Sequence, residues 1–434
     1  MRFYNREKEL ELLLQIEKSS QQSSKMTVIV GRRRIGKTKL VQKAFDHKLY
    51  FFVAKKNEAL LCEEFITIIQ EGLNIKVHGQ FVKFKDLFEF LLEQSKTRPF
   101  TLVIDEFQEF LSVNNSLYSD MQNIWDTYKD SSKMNLVLSG SVYSLMNRIF
   151  EDKNEPLFGR TDHKIHLKSF SVTTIKDILR ENSPGFSPDD LLSFYILTGG
   201  IAKYIEIFVD HKAFTLNDQL DLIFDEYSLF LEEGKNLLIE EFGKDYTTYF
   251  SILSLISSSK TTRGEIEGTL EKNVGGYLDR LENEYTIIKK VKPIFAKPGS
   301  RTVKYEIIDN FFNFWFRFIY KYKSAIEIEN YPYVKGIVLR DYPTYSGRFL
   351  EKFFIEKLKM SHDFSMIGIY WEKKNLNEID IVAINDDSKT MLIAEVKRNE
   401  EKINLHKLKS KATRLLERHP KYDTKFVGYS LKDM

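Results

Sequence analysis

The stretch VIVGRRRIGKTKL, residues 28–40, decides how the first part of the chain should fold. It begins inside the apolar, β-branched run at 26–30, which predicts a buried strand of a parallel sheet. The residues KLVQKAF at 39–45 predict the start of a helix. A basic, glycine-containing turn therefore connects a buried strand to a helix, and this arrangement predicts an α/β domain.

The turn has the spacing G-x-x-x-x-G-K-[ST], which predicts a phosphate-binding loop. In such a loop backbone N–H groups point at a β-phosphate, which also meets the positive end of the helix. Lys37 is expected to reach the β- and γ-oxygens, and the Thr38 hydroxyl is expected to hold Mg²⁺. We therefore predict an ATP and Mg²⁺ site whose nucleotide contacts come from Gly31, Arg32, Arg33, Arg34, Ile35, Gly36, Lys37, Thr38 and Lys39.

The three arginines of this turn occupy variable positions of the motif. Backbone amides and Lys37 carry the expected phosphate contact without them. The arginines could strengthen the positive field, face a partner or lie in solvent, and the sequence does not choose among these roles.

A second predicted strand ends in two carboxylates that would complete the nucleotide site. In FTLVIDEFQEF, residues 100–110, an apolar run leads to Asp105 and Glu106. Asp105 is expected in the Mg²⁺ shell, and Glu106 is expected to take a proton from the attacking water. An isolated I-D-E triplet is otherwise an ordinary strand end, so this prediction depends on the phosphate loop upstream.

Two further residues are candidates for contact with the γ-phosphate. Ser139 ends the predicted strand MNLVLSGS, residues 134–141, and could sense the phosphate or orient the water. Arg160 follows a turn in PLFGRTDHKIHL, residues 156–167, and could reach a γ-phosphate of its own or of a neighbouring chain. The alternatives are a plain exit from a strand for Ser139 and a surface arginine for Arg160.

The bulk composition indicates a water-soluble protein of two to four domains. The chain has 434 residues, of which 42% are hydrophobic and 29% charged, with a net charge of +3, so it is no polycation overall. The single Cys62 excludes a disulfide within the chain, and no Cys/His cluster has zinc-ligand spacing. There is no apolar signal segment at the start and no run long enough to span a bilayer, so we expect a cytoplasmic protein with no membrane partner.

Together these motifs resemble an AAA+-type P-loop ATPase of the archaeal-ATPase group, which is also widespread in bacteria. The resemblance begins at FYNREKELELL, residues 3–13, and extends to the C-terminus. It includes LTGGIAKYIE, residues 197–206, which resembles the lid motif of that family through Gly199, Gly200 and Tyr204. Ala202 stands where proline is usual, which weakens the expectation for the local turn. The resemblance implies ATP binding and hydrolysis, and both rings and single-chain members occur in this group.

Two modules are predicted after the nucleotide domain. Residues 171–235 have helical periodicity and are interpreted as a helical lid. Residues 245–294 predict three helices and a strand, with Thr262 and Glu265 as a capping box, and this order fits a winged helix-turn-helix. The segment 271–304 carries eight Lys/Arg and four Asp/Glu. DNA phosphates could contact Lys272, Arg280, Lys289, Lys290 and Lys292, although winged helices also serve as protein-docking modules or spacers.

The last predicted domain has a metal-site pattern of its own. Glu395 and Lys397 share a face of the strand MLIAEVKR, residues 391–398, and Asp380 on the preceding strand can join them. Such carboxylates could hold Mg²⁺ while Lys397 orients a water, and Glu351 on an upstream helix could bind the same metal. Glu378 is an alternative acid. The pattern resembles the restriction-endonuclease-like fold, with Asp…Glu-x-Lys; a degenerate domain that keeps only a carboxylate–lysine pair is the alternative.

These predictions combine into an α/β chain with a P-loop NTPase parallel sheet, a helical lid, a winged helix-turn-helix and a C-terminal α/β restriction-endonuclease-like domain. The predicted boundaries are 1–170, 171–240, 241–300 and 301–434. KYEIIDNFFNFWFRFIY, residues 304–320, opens the last domain and is expected to pack in a core. The leading hypothesis is an ATPase whose nucleotide state controls a nuclease-like domain acting on DNA. The alternative is a nucleotide-gated switch that binds protein or DNA and never cuts.

Overall fold

A computed structural model describes residues 2–243, 246–297, 299–300, 302–372 and 376–434. These residues form two compact units, residues 4–169 and residues 170–434 together with residues 2–3. The predicted domain boundaries stay predictions: the one at 170 lies next to the division between the two units, and those at 240 and 300 lie inside the second unit.

The first unit is built on a parallel five-stranded sheet in the order β2-β3-β4-β1-β5. Its strands are β1 (Lys25–Val30), β2 (Leu49–Phe52), β3 (Phe100–Asp105), β4 (Met134–Gly140) and β5 (His163–His166). The apolar runs of β1, β3 and β4 are buried almost throughout because helices cover both faces of such a sheet. The predicted parallel α/β sheet is confirmed.

The helices of this unit are α1 (Glu7–Ser20), α2 (Lys37–Ala44), α3 (Glu58–Leu73), α4 (Phe84–Thr97), α5 (Phe110–Val113), α6 (Leu117–Tyr128) and α7 (Tyr143–Glu151). A single 3-10 turn covers Phe107–Glu109. Rings dominate the core on one side of the sheet, where Phe51 stacks on Phe65 with their centroids 4.2 Å apart. Such buried aromatic pairs stabilise the layer beyond the area that they remove from water.

The second unit begins with the segment predicted as a lid. The regular secondary structure of this segment is entirely helical. Its helices are α8 (Val172–Asn182), α9 (Pro188–Thr198), α10 (Ala202–Asp210), α11 (Leu216–Ile223) and α12 (Phe230–Phe242). Gly199 ends α9 at φ 56°, a left-handed conformation that favours glycine. Ala202 is the first residue of α10, the position in a helix where proline is best tolerated, so alanine replaces proline there without loss of the turn.

Three helices and a hairpin follow, in the order that the sequence predicts. They are α13 (Tyr246–Ser257), α14 (Arg263–Leu270), α15 (Gly275–Asn283), β6 (Ile288–Val291) and β7 (Lys304–Ile307), and the two strands are antiparallel. The capping box at the start of α14 is present: the Thr262 N–H donates to Glu265 Oε2 at 2.9 Å, and the Thr262 hydroxyl oxygen accepts from the Glu265 N–H.

The aromatic segment after β7 is buried, as predicted. It forms α16 (Asn310–Phe314) and a π-helical turn at Trp315–Tyr320, and α17 (Lys323–Glu327) and α18 (Tyr331–Tyr345) follow. The Trp315 indole N–H donates to the Leu231 carbonyl at 2.9 Å. A Cβ at Gly234 would lie 2.3 Å from the Trp315 ring, so glycine is required for this close approach.

The chain ends in a four-stranded mixed sheet in the order β11-β10-β9-β8. Its elements are α19 (Gly347–Met360), β8 (Met366–Tyr370), β9 (Ile379–Asn385), β10 (Thr390–Val396), α20 (Leu405–Arg418) and β11 (Asp423–Tyr429). β8, β9 and β10 are antiparallel neighbours, whereas β10 and β11 are parallel and connected by α20. Within the described ranges, no helix is both long and apolar enough to cross a membrane.

Candidate functional site

The loop after β1 has the backbone that a phosphate-binding turn needs. Gly31 packs so closely on the end of β5 that a Cβ would lie 2.8 Å from the Leu167 carbonyl oxygen. Arg34 and Gly36 have φ angles of 68° and 99°, and α2 begins at the next residue. The Ile35 side chain is buried, which helps to hold the turn in place. The loop therefore folds back over the start of α2, where unpaired N–H groups and the helix dipole attract an anion.

Lys37 lies inside this loop and is held by it. Its ammonium donates to the Gly31 carbonyl at 2.8 Å and to the Arg32 carbonyl at 3.2 Å. Burial lowers the pKa of Lys37 to about 8, although the nearby carboxylates of Glu106 and Asp105 oppose this shift. The described hydrogen bonds of the ammonium go to two backbone carbonyls, which phosphate oxygens could replace at a gain in electrostatic energy.

The remaining basic residues predicted at the loop lie around this lysine. Arg33 is close enough for its charge to lower the pKa of Lys37 further. Arg33 and Lys39 are exposed, while Arg32 and Arg34 are half-buried. Whether the three arginines strengthen the positive field, face a partner or lie in solvent stays open, and a role for these residues in nucleotide binding stays a prediction.

Asp105 is the centre of a hydrogen-bond cluster at the carboxyl ends of the strands. Its Oδ2 accepts from the Thr38 hydroxyl at 3.2 Å and also from the Tyr50 hydroxyl. Its Oδ1 accepts from the Ser139 hydroxyl and from the Glu106 N–H. The two predicted Mg²⁺ ligands, Thr38 and Asp105, are thus in contact. Ser139 contacts Asp105, where the sequence had suggested a phosphate or a water.

Glu106 follows β3 in a left-handed conformation, at φ 54°. Its Oε2 accepts from Gln108 Nε2 at 2.6 Å and from the Ser141 hydroxyl at 2.7 Å. The carboxylate that is expected to act as the base is therefore held by two polar side chains. The buried Gln108 was missed by sequence reasoning, although it stands two residues after the predicted base, and Tyr50 was missed because no motif includes it.

Arg160 does not contact the phosphate loop through any of its described interactions. Its guanidinium forms an ion pair with Asp126 at 3.1 Å and donates to the Phe158 carbonyl at 2.8 Å. The prediction that Arg160 reaches the γ-phosphate of its own chain therefore needs this ion pair to break. A role toward a neighbouring chain stays a prediction.

The second predicted site lies where β9 and β10 meet. The Lys397 ammonium donates to Asp380 Oδ2 at 3.2 Å and lies 3.7 Å from Glu395 Oε1. It also donates to the Val396 carbonyl at 3.0 Å. Burial works against the charge on Lys397, but Asp380 and Glu395 outweigh it and raise its pKa. The structure thus brings Asp380, Glu395 and Lys397 together, as predicted.

Glu351 on α19 faces the same cluster. Burial, reinforced by the negative charge of Asp380, raises the pKa of Glu351 to about 8, so it is mostly protonated at neutral pH. In the part of the chain that the structure describes, no three side chains of His, Cys, Asp or Glu form a group that could hold a metal ion. The predicted set of Glu351, Asp380 and Glu395 is therefore not assembled as a group of three side-chain ligands.

The surroundings of Glu395 and Glu378 separate their roles. Glu395 is buried, and its Oε2 accepts from the Asn404 N–H at 2.8 Å, while Lys411 on α20 lies 3.9 Å from its Oε1. Glu378 instead pairs with Lys304 on β7 at 2.9 Å. This pairing favours Asp380 over Glu378 as the acid of the cluster.

Most of the cations predicted to contact DNA interact with neighbouring side chains of the second unit. Lys289 pairs with Glu306 at 3.1 Å, and Lys290 pairs with Glu282. Lys272 donates to the Thr248 and Tyr277 hydroxyls at 3.2 Å, and Arg280 lies over the rings of Tyr249 and Tyr277. Lys292 is exposed. The positive surface that the sequence suggested is thus partly neutralised.

Helix α9, in the segment predicted as a lid, contacts the C-terminal part of the second unit. Arg398, the residue after Lys397, pairs with Asp189 in the first turn of α9 at 2.9 Å. The Tyr195 hydroxyl, also on α9, donates to Glu356 on α19 at 2.7 Å. Helix α9 is thus bonded to the residue that follows Lys397 and to the helix that carries Glu351.

Comparison with known proteins places the two sites in different segments. Residues 3–208 match the family model described as an ATPase domain predominantly from Archaea. Residues 315–412 match a model described as archaeal and bacterial proteins of unknown function. The first match supports an ATPase at the phosphate loop and extends 39 residues into the second unit, through α8, α9 and most of α10.

Two further similarities extend over most of the chain. An uncharacterized protein of Methanocaldococcus jannaschii is 29% identical over 411 residues, which cover 91% of this chain and 87% of that protein. A solved structure of a Walker-type ATPase of Pyrococcus abyssi matches with a TM-score of 0.54 and 18% identity, over 72% of this chain and 96% of that chain. This structural likeness supports the fold.

Proposed function

We propose that this protein binds and hydrolyses ATP with Mg²⁺ at the phosphate loop, and that the nucleotide state controls a DNA-cleaving centre at Asp380, Glu395 and Lys397. The observation that carries the first half is the contact between Thr38 and Asp105, because it joins the loop to the acidic strand end at the point where a metal would bind. The second half depends on the cluster around Lys397 and on its connection to α9.

The residues of the first unit have separable roles in ATP turnover. Lys37 exchanges its carbonyl partners for β- and γ-phosphate oxygens, and its pKa rises when it does so. Thr38 and Asp105 supply the hydroxyl and carboxylate oxygens that suit Mg²⁺, which when bound neutralises charge on the phosphates. Gln108 and Ser141 hold Glu106 Oε2, and Oε1 is the oxygen that would accept a proton from water.

Control of the second unit would run through the lid. Helix α9 lies within the ATPase segment that matches the family model, and it is packed inside the second unit. The Asp189–Arg398 ion pair is adjacent in sequence to Lys397, and the Tyr195–Glu356 hydrogen bond reaches the helix that carries Glu351. A lid that responds to ATP would therefore shift both sides of the cluster together.

The cluster itself supports a cation site. Three oxygens, from Asp380, Glu395 and the Val396 carbonyl, lie within 3.7 Å of the Lys397 ammonium. A positive charge is thus already stabilised there, by the kind of oxygen ligands that Mg²⁺ prefers. If Lys397 turned outward, these oxygens could hold the metal, and the lysine could orient a water toward a DNA phosphodiester. Glu351 would give up its proton and join them.

A second candidate function is a nucleotide-gated switch that binds protein or DNA and does not cut. One observation favours it: Asp380 Oδ2 and Glu395 Oε2 each already accept a hydrogen bond, and the ammonium groups of Lys397 and Lys411 lie within 4 Å of Glu395 Oε1. In this function the carboxylate–lysine cluster is a structural ion-pair network.

A plasmid-nicking assay separates the two functions. The full chain is incubated with supercoiled DNA in Mg²⁺ or Mn²⁺, with and without ATP, beside the Asp380→Ala and Lys397→Ala variants. Nicking that both variants lose supports cleavage at this cluster. The matched control is Asp387→Ala, which removes an exposed carboxylate from the turn after β9 and should leave nicking unchanged. Intact DNA under every condition would support the switch.

A further inference from the structure

Tyr50 holds the Asp105 carboxylate from outside every recognised motif. It lies on β2, the edge strand next to β3, and pairs with Val103, two residues before Asp105. From there its hydroxyl reaches Asp105 Oδ2, the oxygen that also accepts from Thr38. Because β3 lies between β2 and β4, Asp105 is held by Tyr50 from one side and by Ser139 from the other.

Toward a carboxylate the Tyr50 hydroxyl can act only as a donor. Asp105 is itself buried, so each of its oxygens needs a hydrogen-bond donor. The Thr38 hydroxyl can bind a metal through its oxygen and still donate its proton, so Tyr50 and Thr38 can hold Asp105 Oδ2 together.

We infer that Tyr50 is a positioning residue for the Mg²⁺ site: together with Thr38 and Ser139 it holds the Asp105 carboxylate in the orientation that the metal needs. This inference rests on the proposed ATP site. Partners that orient metal-site carboxylates typically contribute about ten- to a hundredfold to metal affinity. The loss of one of several donors to Asp105 should lie at the lower end of that range.

The test is a Mg²⁺ titration of the binding of a fluorescent ATP analogue to the full chain. Tyr50→Phe removes only the hydroxyl and should raise the half-saturating Mg²⁺ concentration about tenfold. Binding of the analogue in EDTA should not change, because the phosphate contacts of Lys37 and the loop remain. Ser139→Ala should shift the Mg²⁺ midpoint in the same direction. The matched control is Tyr128→Phe, whose hydroxyl donates to the exposed Glu89 at 2.9 Å, and it should not shift the midpoint.

The possible outcomes distinguish this inference from the proposed function. A wild-type chain with no Mg²⁺-dependent nucleotide binding would remove the ATP site itself. A wild-type chain that binds, with an unshifted midpoint in Tyr50→Phe, would overturn only the role of Tyr50. Equal weakening with and without Mg²⁺ would also overturn it, because the hydroxyl would then serve packing alone. Partial unfolding of a variant would weaken binding of the analogue in EDTA as well as in Mg²⁺, so the EDTA measurement separates it from a loss at the metal site.

Discussion

The two candidate sites share their residue types and differ in the charges around them. Each has an aspartate on a strand of a sheet and a lysine beside it. Lys37 is held by backbone carbonyls, and burial lowers its pKa to about 8. Lys397 is held by two carboxylates that raise its pKa despite burial. Glu106 and Asp105 act on the first lysine only through longer-range attraction, whereas the second lysine lies within 4 Å of two carboxylates.

This difference determines what each site can accept. The phosphate loop has its hydrogen-bond donors and positive charge in place before a ligand arrives, so a triphosphate enters without rearranging the strands. The C-terminal cluster is neutralised internally, and a metal must displace a lysine before it can bind. A preformed site and a closed site in one chain are what we expect if the second is active only when the first is occupied.

The largest effect should come from removing the lysine of the open site. Lys37→Ala should lower kcat/KM for ATP by at least about a thousandfold, because a charge aimed at the transferring phosphate is lost. Turnover is measured by phosphate release. Lys43→Ala, which removes an exposed lysine from the same helix, should leave turnover unchanged. A Lys37→Ala chain with normal turnover would show that the loop is not the catalytic centre.

Glu106→Gln should separate ATP binding from hydrolysis. The amide keeps the shape of the side chain but cannot accept a proton, so hydrolysis should fall by about 10²–10⁴-fold while ATP binding is retained. Calorimetry and single-turnover hydrolysis measure the two steps. Gln108→Leu is the companion variant, since it removes a hydrogen bond to the same carboxylate and leaves the carboxylate in place. Unchanged hydrolysis in Glu106→Gln would place the base elsewhere.

The pKa of Lys37 predicts how ATP affinity depends on pH. Lys37 must be charged to bind phosphate. Above its pKa of about 8, the Lys37 side chain of the nucleotide-free chain is mostly uncharged. Affinity should therefore fall about tenfold between pH 7 and pH 9, and binding above pH 8 should take up a proton. Calorimetry in buffers of different ionisation enthalpy measures this uptake. An affinity independent of pH would mean that Lys37 of the nucleotide-free chain is still charged at pH 9.

The smallest effect concerns the C-terminal cluster. Glu351 contributes there in its uncharged form, whereas Lys37 must be charged to bind phosphate. Glu351 has a folded pKa of about 8 against 4.5 for the ordinary side chain, so its proton stabilises the fold fully below pH 4.5. That contribution declines as pH rises and is lost above pH 8. Glu351→Gln should make the stability of the second unit less dependent on pH within this window, as measured by chemical denaturation. Identical pH profiles would show that Glu351 is solvated in the folded chain.

Much of the first unit followed from local sequence. The spacing of Gly31, Gly36, Lys37 and Thr38 fixes a backbone path as well as a set of side chains, so loop geometry and chemistry are readable together. Thr38 and Asp105 were predicted as ligands of one Mg²⁺, and the structure places their side chains in contact. Tyr50 was not predictable, since its partner lies 55 residues away and its strand is short and unremarkable in composition.

The second unit shows where such reasoning stops. Strand alternation placed Glu395 and Lys397 on one face, and the structure agrees, but alternation says nothing of how charges pair across strands. Whether Lys397 would face a metal or neutralise Asp380 depends on the registry of β9 and β10 and on burial by α19. The ion pair between Arg398 and Asp189 joins residues 209 positions apart, and no local pattern contains it.

The sequence alone determined that the chain has a phosphate-binding loop, a parallel sheet and an aromatic core segment, because these are set by spacing and periodicity within a few neighbouring residues. The tertiary structure alone decided which donors hold Asp105, which carboxylates hold Lys397 and which lid residues touch the C-terminal domain. These depend on the electrostatic energy of buried groups, and that energy is set by what the fold brings within a few ångströms.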